Sequence, residues 1–313
     1  MTLATGEGDP SEVASFVDAV RRLSGGSLTI EVKTAWRKGE ATYETGLVKD
    51  VIAGKADIGV VGVRAFDEEG LDVTSFQGFV APFLIDSYEL QDRVLDSDVA
   101  KETLRGIEPL GLTGLGFDPG PLRRPLGITR QLAGAADFEG ATFGAREGHV
   151  VALTLEALGG TSRVFVPDQA AGLDGMEAHL ALIGNAGYDR NAVALTSDVV
   201  LWPRVSVLVA NTAAFGKLTA EQQAIVRHAA ALSREERPNQ IRSEEAEGLL
   251  ILCRRGLRTV TINDAEAEGL LRTVAPVYQE IERDPLSKEL IDEVRRLRSD
   301  VAAGANASVS CGE

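Results

Sequence analysis

The feature that most limits how this chain can fold is a repeated alternation of short apolar strands with amphipathic helices. The run "DIGVVGV" at 57–63 is almost continuously apolar, which fits a parallel strand covered on both faces. Ahead of it the pattern predicts a helix over 40–53, with Leu47, Val48, Val51 and Ile52 as its apolar residues. Earlier still, "TLAT" and "SLTIEVKT" read as strands around the helix "DPSEVASFVDAVRRLSGG". Asp9 is expected to cap that helix, with Pro10 in its first turn and Glu12 completing a capping box. A helix from Ser87 to Arg105 and the strand "LGLTGLGF" continue the alternation, so residues 1 to about 120 form a βα unit.

"DPGPLRRPLGIT" breaks the pattern with three prolines and marks a crossing to a second unit. There the strand "ATFGA", the helix "HVVALTLEALGG", the strand "RVFVP" and the apolar "LALIG" repeat the same grammar. "AGKADIGVV" at 53–61 and "AGLDGMEAHLALIG" at 171–184 echo one another, each leading towards a buried strand. "VVLWPRVSVLVAN" is extended and long enough to return to the first unit. A long helix then opens at Thr219 through a capping box with Gln222, and Pro238 is expected to kink it. The strand "RTVTI", a helix opened by Asn263 with Glu266, and the helix "SKELIDEVRRLRSD" follow, and residues 304–313 read as a flexible tail.

Composition narrows the function. With 32 basic and 47 acidic residues the formal charge is −15, and no basic patch is present to attract nucleic acid or an anionic membrane surface. Cys253 and Cys311 form no CxxC pair, so neither a disulfide framework, a zinc site nor a thiol nucleophile is expected. His149, His179 and His228 lie far apart, without metal-helix spacing. "GLGFDPG" and "TGEGDPS" each lack the third glycine of a dinucleotide fingerprint, which leaves a dinucleotide-dependent enzyme as the weaker rival class and no cofactor expected.

The order of segments resembles the extracytoplasmic solute receptors of TRAP transporters, the DctP type. The resemblance is carried by "FVDAVRRLSGGSLTIEV", "LVKDVIAGKADIGVV", "APFL", "PLGIT" before "DFEGATF", "ALGG", "DGME" and "LTAEQQAIVRHAA". It implies an α/β, periplasmic-binding-protein-like fold whose two domains are joined by hinge strands and spanned by a long helix. Domain I would comprise 1–120 and about 205–250, and domain II 121–204 and about 251–303. It also implies a monomer that captures a small molecule, an organic acid, for TRAP membrane subunits and catalyses nothing. A ligand-sensing receptor of the same fold is the alternative. Such a protein is periplasmic or held at the cell surface, so the natural precursor is expected to carry an export leader upstream of Met1.

The family's ligand-pairing arginine falls on Gly144 here, with Arg146 two residues further along the strand; Ala178 stands where the family has an asparagine. Arg146 is therefore the first expected anion contact, since a guanidinium fork beside a helix start suits a carboxylate. Arg64 is a reserve contact, with an exposed loop arginine as the plainer reading. Phe66 and Trp202 are candidate apolar walls, although large aromatics are more often core. Glu40, Tyr43 and Glu177 complete the ligand-binding set, and Asp174 is read as shaping the turn before a strand.

Overall fold

The structure is a computed structural model that describes residues 1–164, 171–301 and 309–311. Its strands fall into two sheets. In the first lobe β1 (Thr2–Thr5), β2 (Glu31–Lys33), β3 (Ile58–Gly62) and β4 (Leu112–Asp118) are joined by a late strand, β11 (Ser206–Asn211), in the order β2-β1-β3-β11-β4. β1 runs parallel to β2 and β3, and β11 lies antiparallel between β3 and β4. All five residues of β3 are buried, as its apolar run requires.

The second sheet has the order β12-β9-β5-β8-β6-β7. It uses β5 (Leu122–Gly127), β6 (Thr142–Ala145), β7 (Thr161–Val164), β8 (Gly175–Ala178), β9 (Ala194–Thr196) and β12 (Thr259–Val260), with the short β10 (Trp202–Pro203) beside β5. Two extended segments cross between the lobes, from β4 to β5 and from β10 to β11. These crossings lie side by side, with the Arg204 amide donating to Pro121 O at 3.0 Å. Gly120 makes this approach possible, because a Cβ there would lie 1.7 Å from Arg204 O. Gln91 clasps the same glycine, accepting from its amide at 2.9 Å and donating to its carbonyl at 3.0 Å.

The helix Ala220–Arg254 has 35 residues and so runs about 52 Å, enough to reach both lobes. Its first half shares an apolar cluster with the Ser11–Leu23 helix, where Val226 and Ala229 meet Phe16 and Val20. Its second half packs on the helix Leu180–Ala186. A Cβ on Gly248 would sit 2.5 Å from the Ala181 amide nitrogen, so only glycine allows that contact. The capping boxes expected at Thr219 and Asn263 both form, and Pro238 lies inside a continuous helix.

Several expectations need correction. The second helix starts at Tyr43 rather than residue 40. Glu12 forms no capping box, because its carboxylate is drawn to Arg204 at 3.2 Å, and Pro10 takes the cap position. The segment from Ser87 is broken by Ser97, which caps a new short helix at Asp98–Glu102. "LALIG" is helical; the buried strand of that segment is β8. The last three residues of "RVFVP" lie outside the described residues.

The helix Pro285–Ser299, expected in domain II, lies on the first lobe. Ser287 Oγ accepts from the Gly78 amide at 3.2 Å and donates to Thr74 O at 2.6 Å. Leu290 and Ile291 join the large core, burial that outweighs chain proximity to the second lobe. Cys253 and Cys311, read as unpaired, form a disulfide. That bond, with the Val309 amide donating to Ser197 O at 3.4 Å, ties down the described part of a segment expected to be flexible. The remaining residues of 304–313 lie outside the described residues.

Candidate functional site

A cavity of about 210 Å³ opens between the lobes. The first lobe lines it with Glu7, Asp9, Ser11 and Glu12, and the second with Arg123, Arg146, His179 and Leu182. Arg204 comes from the crossing, and Arg237 and Glu244 from the long helix. Arginines and carboxylates therefore share the wall, and the pairing among them decides what the cavity attracts.

Arg204 and Arg64 are already committed. Arg204 meets Glu7 at 3.0 Å, Glu12 at 3.2 Å and Glu44 at 4.0 Å. Arg64, expected in an exposed loop if not at the ligand, is buried and ion-paired with Glu44. Burial pushes the Glu44 carboxyl up, but Arg64, then Arg204 and Arg146, overrule it and hold it at about 2. Neither arginine has charge to spare for an anion.

Arg123 differs. It sits on β5, in a strand buried along its whole length, and is only 5% exposed. Burial pushes its guanidinium down to about 10, opposed chiefly by Glu177. Yet Glu177 is held elsewhere. Its Oε2 accepts from Trp202 Nε1 at 2.6 Å and its Oε1 from the Arg146 amide at 2.7 Å. Among the described residues, no hydrogen bond or ion pair reaches the Arg123 guanidinium, so its burial is left partly uncompensated.

Arg146 follows β6 and lies half-buried, its guanidinium over the Tyr43 ring at 5.4 Å. The structure thus brings together Arg146, Tyr43 and Glu177 from the expected set. Burial, then Glu44, pushes the Tyr43 phenol up to about 12, so it stays protonated as a donor. Trp202 is 1% exposed and reaches the site through its N–H on Glu177 rather than as a wall. Phe66 does not line the cavity. It is fully buried, edge-on to Phe76 at 5.3 Å, because the core gains more from it than a polar cleft would. Glu40 also lies apart, exposed and paired with Arg37 at 2.8 Å.

At Gly144 an added Cβ would come within 2.6 Å of Leu173 Cδ1. A side chain at this position, which the resemblance aligns with the family's arginine, would require Leu173 to shift. Asp174, read as shaping the turn before β8, ties that turn to the start of β6, accepting from the Thr142 amide at 2.9 Å.

Contributors missed from sequence include Arg123, Arg204, His179 and Glu245. For Arg123 there was a signal, since "LRRPL" sets two arginines inside an apolar strand. His179 Nδ1 lies 2.7 Å from Glu245 Oε1. Burial lowers the His179 pKa, and Glu245 stays ionised despite burial because His179 and the Leu180 and Ala181 amides hold it. A carboxylate only accepts, so neutral His179 donates from Nδ1 and keeps Nε2 as an acceptor.

Two α/β lobes on paired crossing segments, spanned by one helix and enclosing a charged cavity, define a two-lobed solute-binding protein. The family is equally plain: the pattern of the bacterial extracellular solute-binding proteins, family 7 (DctP), matches residues 3–284, and the chain belongs to that family. Among solved structures it is similar to a TRAP periplasmic solute binding protein from Ochrobactrum anthropi, whose C-terminus is bound in its ligand-binding pocket. That match has 19% identity and TM-score 0.84 and covers 96% of each chain. A relative from Sulfitobacter sp. NAS-14.1 holds β-D-galacturonate (18% identity, TM-score 0.82, covering 94% of this chain and 99% of that one). One from Ralstonia eutropha H16 holds (S)-2-acetolactate (17%, 0.82, 96% and 98%). No curated protein matches.

Proposed function

We propose that this receptor captures a small hydroxylated organic acid between its lobes, with the ligand carboxylate on Arg123 and Arg146. The single observation that carries this reading is the buried Arg123 guanidinium, which lines the cavity while Glu177, the carboxylate that most favours its charge, is held by Trp202 and a backbone amide. An anion delivered there restores the compensation that burial removed, in a bidentate geometry that guanidinium favours. At the other wall Glu7, Asp9 and Glu12 suit ligand hydroxyls and repel a second carboxylate, and the His179 acceptor beside the arginines suits a hydroxyl as well. Bound acids in the similar structures support the same class.

In this reading the lobes close over the acid by hinge motion at residues 119–121 and 204–205. The loaded receptor hands its cargo, chemically unchanged, to TRAP membrane subunits outside the cytoplasm. The Cys253–Cys311 disulfide supports that compartment, since such bonds persist where the medium is oxidising. The direct test is a thermal-shift screen of mono- and dicarboxylic hydroxy acids, sugars and amino acids, because a ligand bound to the native state raises the melting temperature. Stabilisation by hydroxylated monocarboxylates is the expected result. Stabilisation by neutral sugars alone would overturn it.

A further inference from the structure

Two helices beside the cleft lack caps of their own. The Tyr43–Ile52 helix of the first lobe has Thr42 at its cap position, without a side-chain hydrogen bond. The His149–Ala157 helix of the second lobe has Gly148 there, which has no side chain to offer. Each is completed by a carboxylate from the opposite lobe. Glu147 Oε1 accepts from the Glu44 and Thr45 amides at 3.0 Å each, and Asp67 accepts from the His149 and Val150 amides at 2.9 and 3.1 Å.

The exchange depends on close approach. Gly148 has φ 152°, and a Cβ there would lie 3.1 Å from Arg64 Cβ. Both carboxylates answer a helix N-terminus, where unpaired amides and the helix dipole favour negative charge. Glu147 is 3% exposed and reaches fully into the first lobe. Neither acid lines the cavity that holds Arg123 and Arg146.

We infer that Glu147 and Asp67 are positioning residues that hold the lobes together by crossed helix capping and thereby set ligand affinity from outside the cavity. The inference rests on hinge closure as proposed above. Every one of these four hydrogen bonds crosses between lobes, so separating the lobes breaks them all and exposes both helix starts to water. The caps therefore stabilise the closed arrangement alone, and only such a difference between states shifts their balance. A receptor already biased towards closure gives up less of its binding energy to close, so the caps raise apparent affinity without touching ligand.

The test places spin labels at Ala53→Cys in the first lobe and Glu156→Cys in the second and reads interlobe distances in the full chain without ligand. The native cysteines are disulfide-bonded and take no label. Glu147→Ala and Asp67→Ala are each expected to raise the open-to-closed ratio about fivefold, the scale of losing one cap, and the double variant by more than either. Circular dichroism accompanies each variant. If an alanine variant loses helix content, Glu147→Gln and Asp67→Asn, which keep the shape and remove the charge, decide with a smaller shift in the same direction. A distance distribution unchanged in folded single and double variants would overturn the inference. Because no ligand is present, loss of the Arg123 reading leaves this measurement standing, and a failed cap test leaves the thermal-shift screen untouched.

Discussion

Trp202 Nε1 donates to Glu177 Oε2 at 2.6 Å, and this bond keeps the carboxylate from closing an ion pair with Arg123 on the neighbouring strand. In the proposed reading the indole thus leaves Arg123 available for an acid ligand. Trp202→Phe removes the donor while filling most of the same volume. Glu177 is then free to neutralise Arg123, and affinity for an acid ligand should fall roughly tenfold, the scale of one charge-assisted hydrogen bond. Calorimetric titration with an acid found by the screen reads the change; unchanged affinity would show that Glu177 does not compete for Arg123.

Arg123→Ala should weaken the same acid more than Arg146→Ala does, because Arg123 is deeper and less compensated. Losing one partner of a buried charge pair costs about 2–5 kcal/mol, or tens-fold and upward in affinity. Arg123→Lys should recover only part, since an ammonium cannot reproduce the fork. If the Arg146 variant loses more, the order of the two contacts is reversed.

Gly144→Arg restores the family residue in name only. Leu173 Cδ1 stands 2.6 Å from where the new Cβ would be, and overpacking of this kind costs about 1–3 kcal/mol or more. The expected outcome is a lower melting temperature with no gain in affinity. A tighter acid complex in a variant of normal stability would show that the strand can shift to accept the side chain.

Burial, with Glu12 second, pushes the Asp118 carboxyl up from 3.8 to about 6. A group raised in the native state holds its proton more tightly there than in the unfolded chain. Its stabilising contribution is full below 3.8 and lost as pH rises through about 6. Asp118→Asn should therefore raise the melting temperature at pH 8 by about 2 °C or more and leave it nearly unchanged at pH 4. Equal shifts at both pH values would exclude the titration as the cause.

Cys253 and Cys311 are separated by 58 residues, and breaking a link across such a span costs about 2–4 kcal/mol. Reductant should lower the melting temperature of the native chain and leave Cys253→Ser unaffected. Equal melting with and without reductant in the native chain would mean that the bond contributes nothing to stability.

The sequence by itself determined the layout: the alternation of elements, the crossing at the prolines and the long helix with its capping box. Those features are local, written in apolar periodicity and turn residues that act within a few positions of themselves, whereas the two-lobed solute-binding class came from the resemblance of the segment order to a known family. Arg146 and Tyr43 were also legible near the cleft, because a cation at a strand end and a phenol at a helix start announce themselves. Tertiary structure decided which charges remain available. Arg64 and Arg123 look alike in sequence, but Glu44 neutralises one, while Trp202 and the Arg146 amide hold Glu177 back from the other. It also decided that Phe66 belongs to the core, that Pro285–Ser299 returns to the first lobe, and that Glu147 and Asp67 cap helices across the cleft. Pairing and desolvation depend on distances of a few ångströms between residues as distant as Thr74 and Ser287, 213 positions apart, and no period or motif within one segment encodes them.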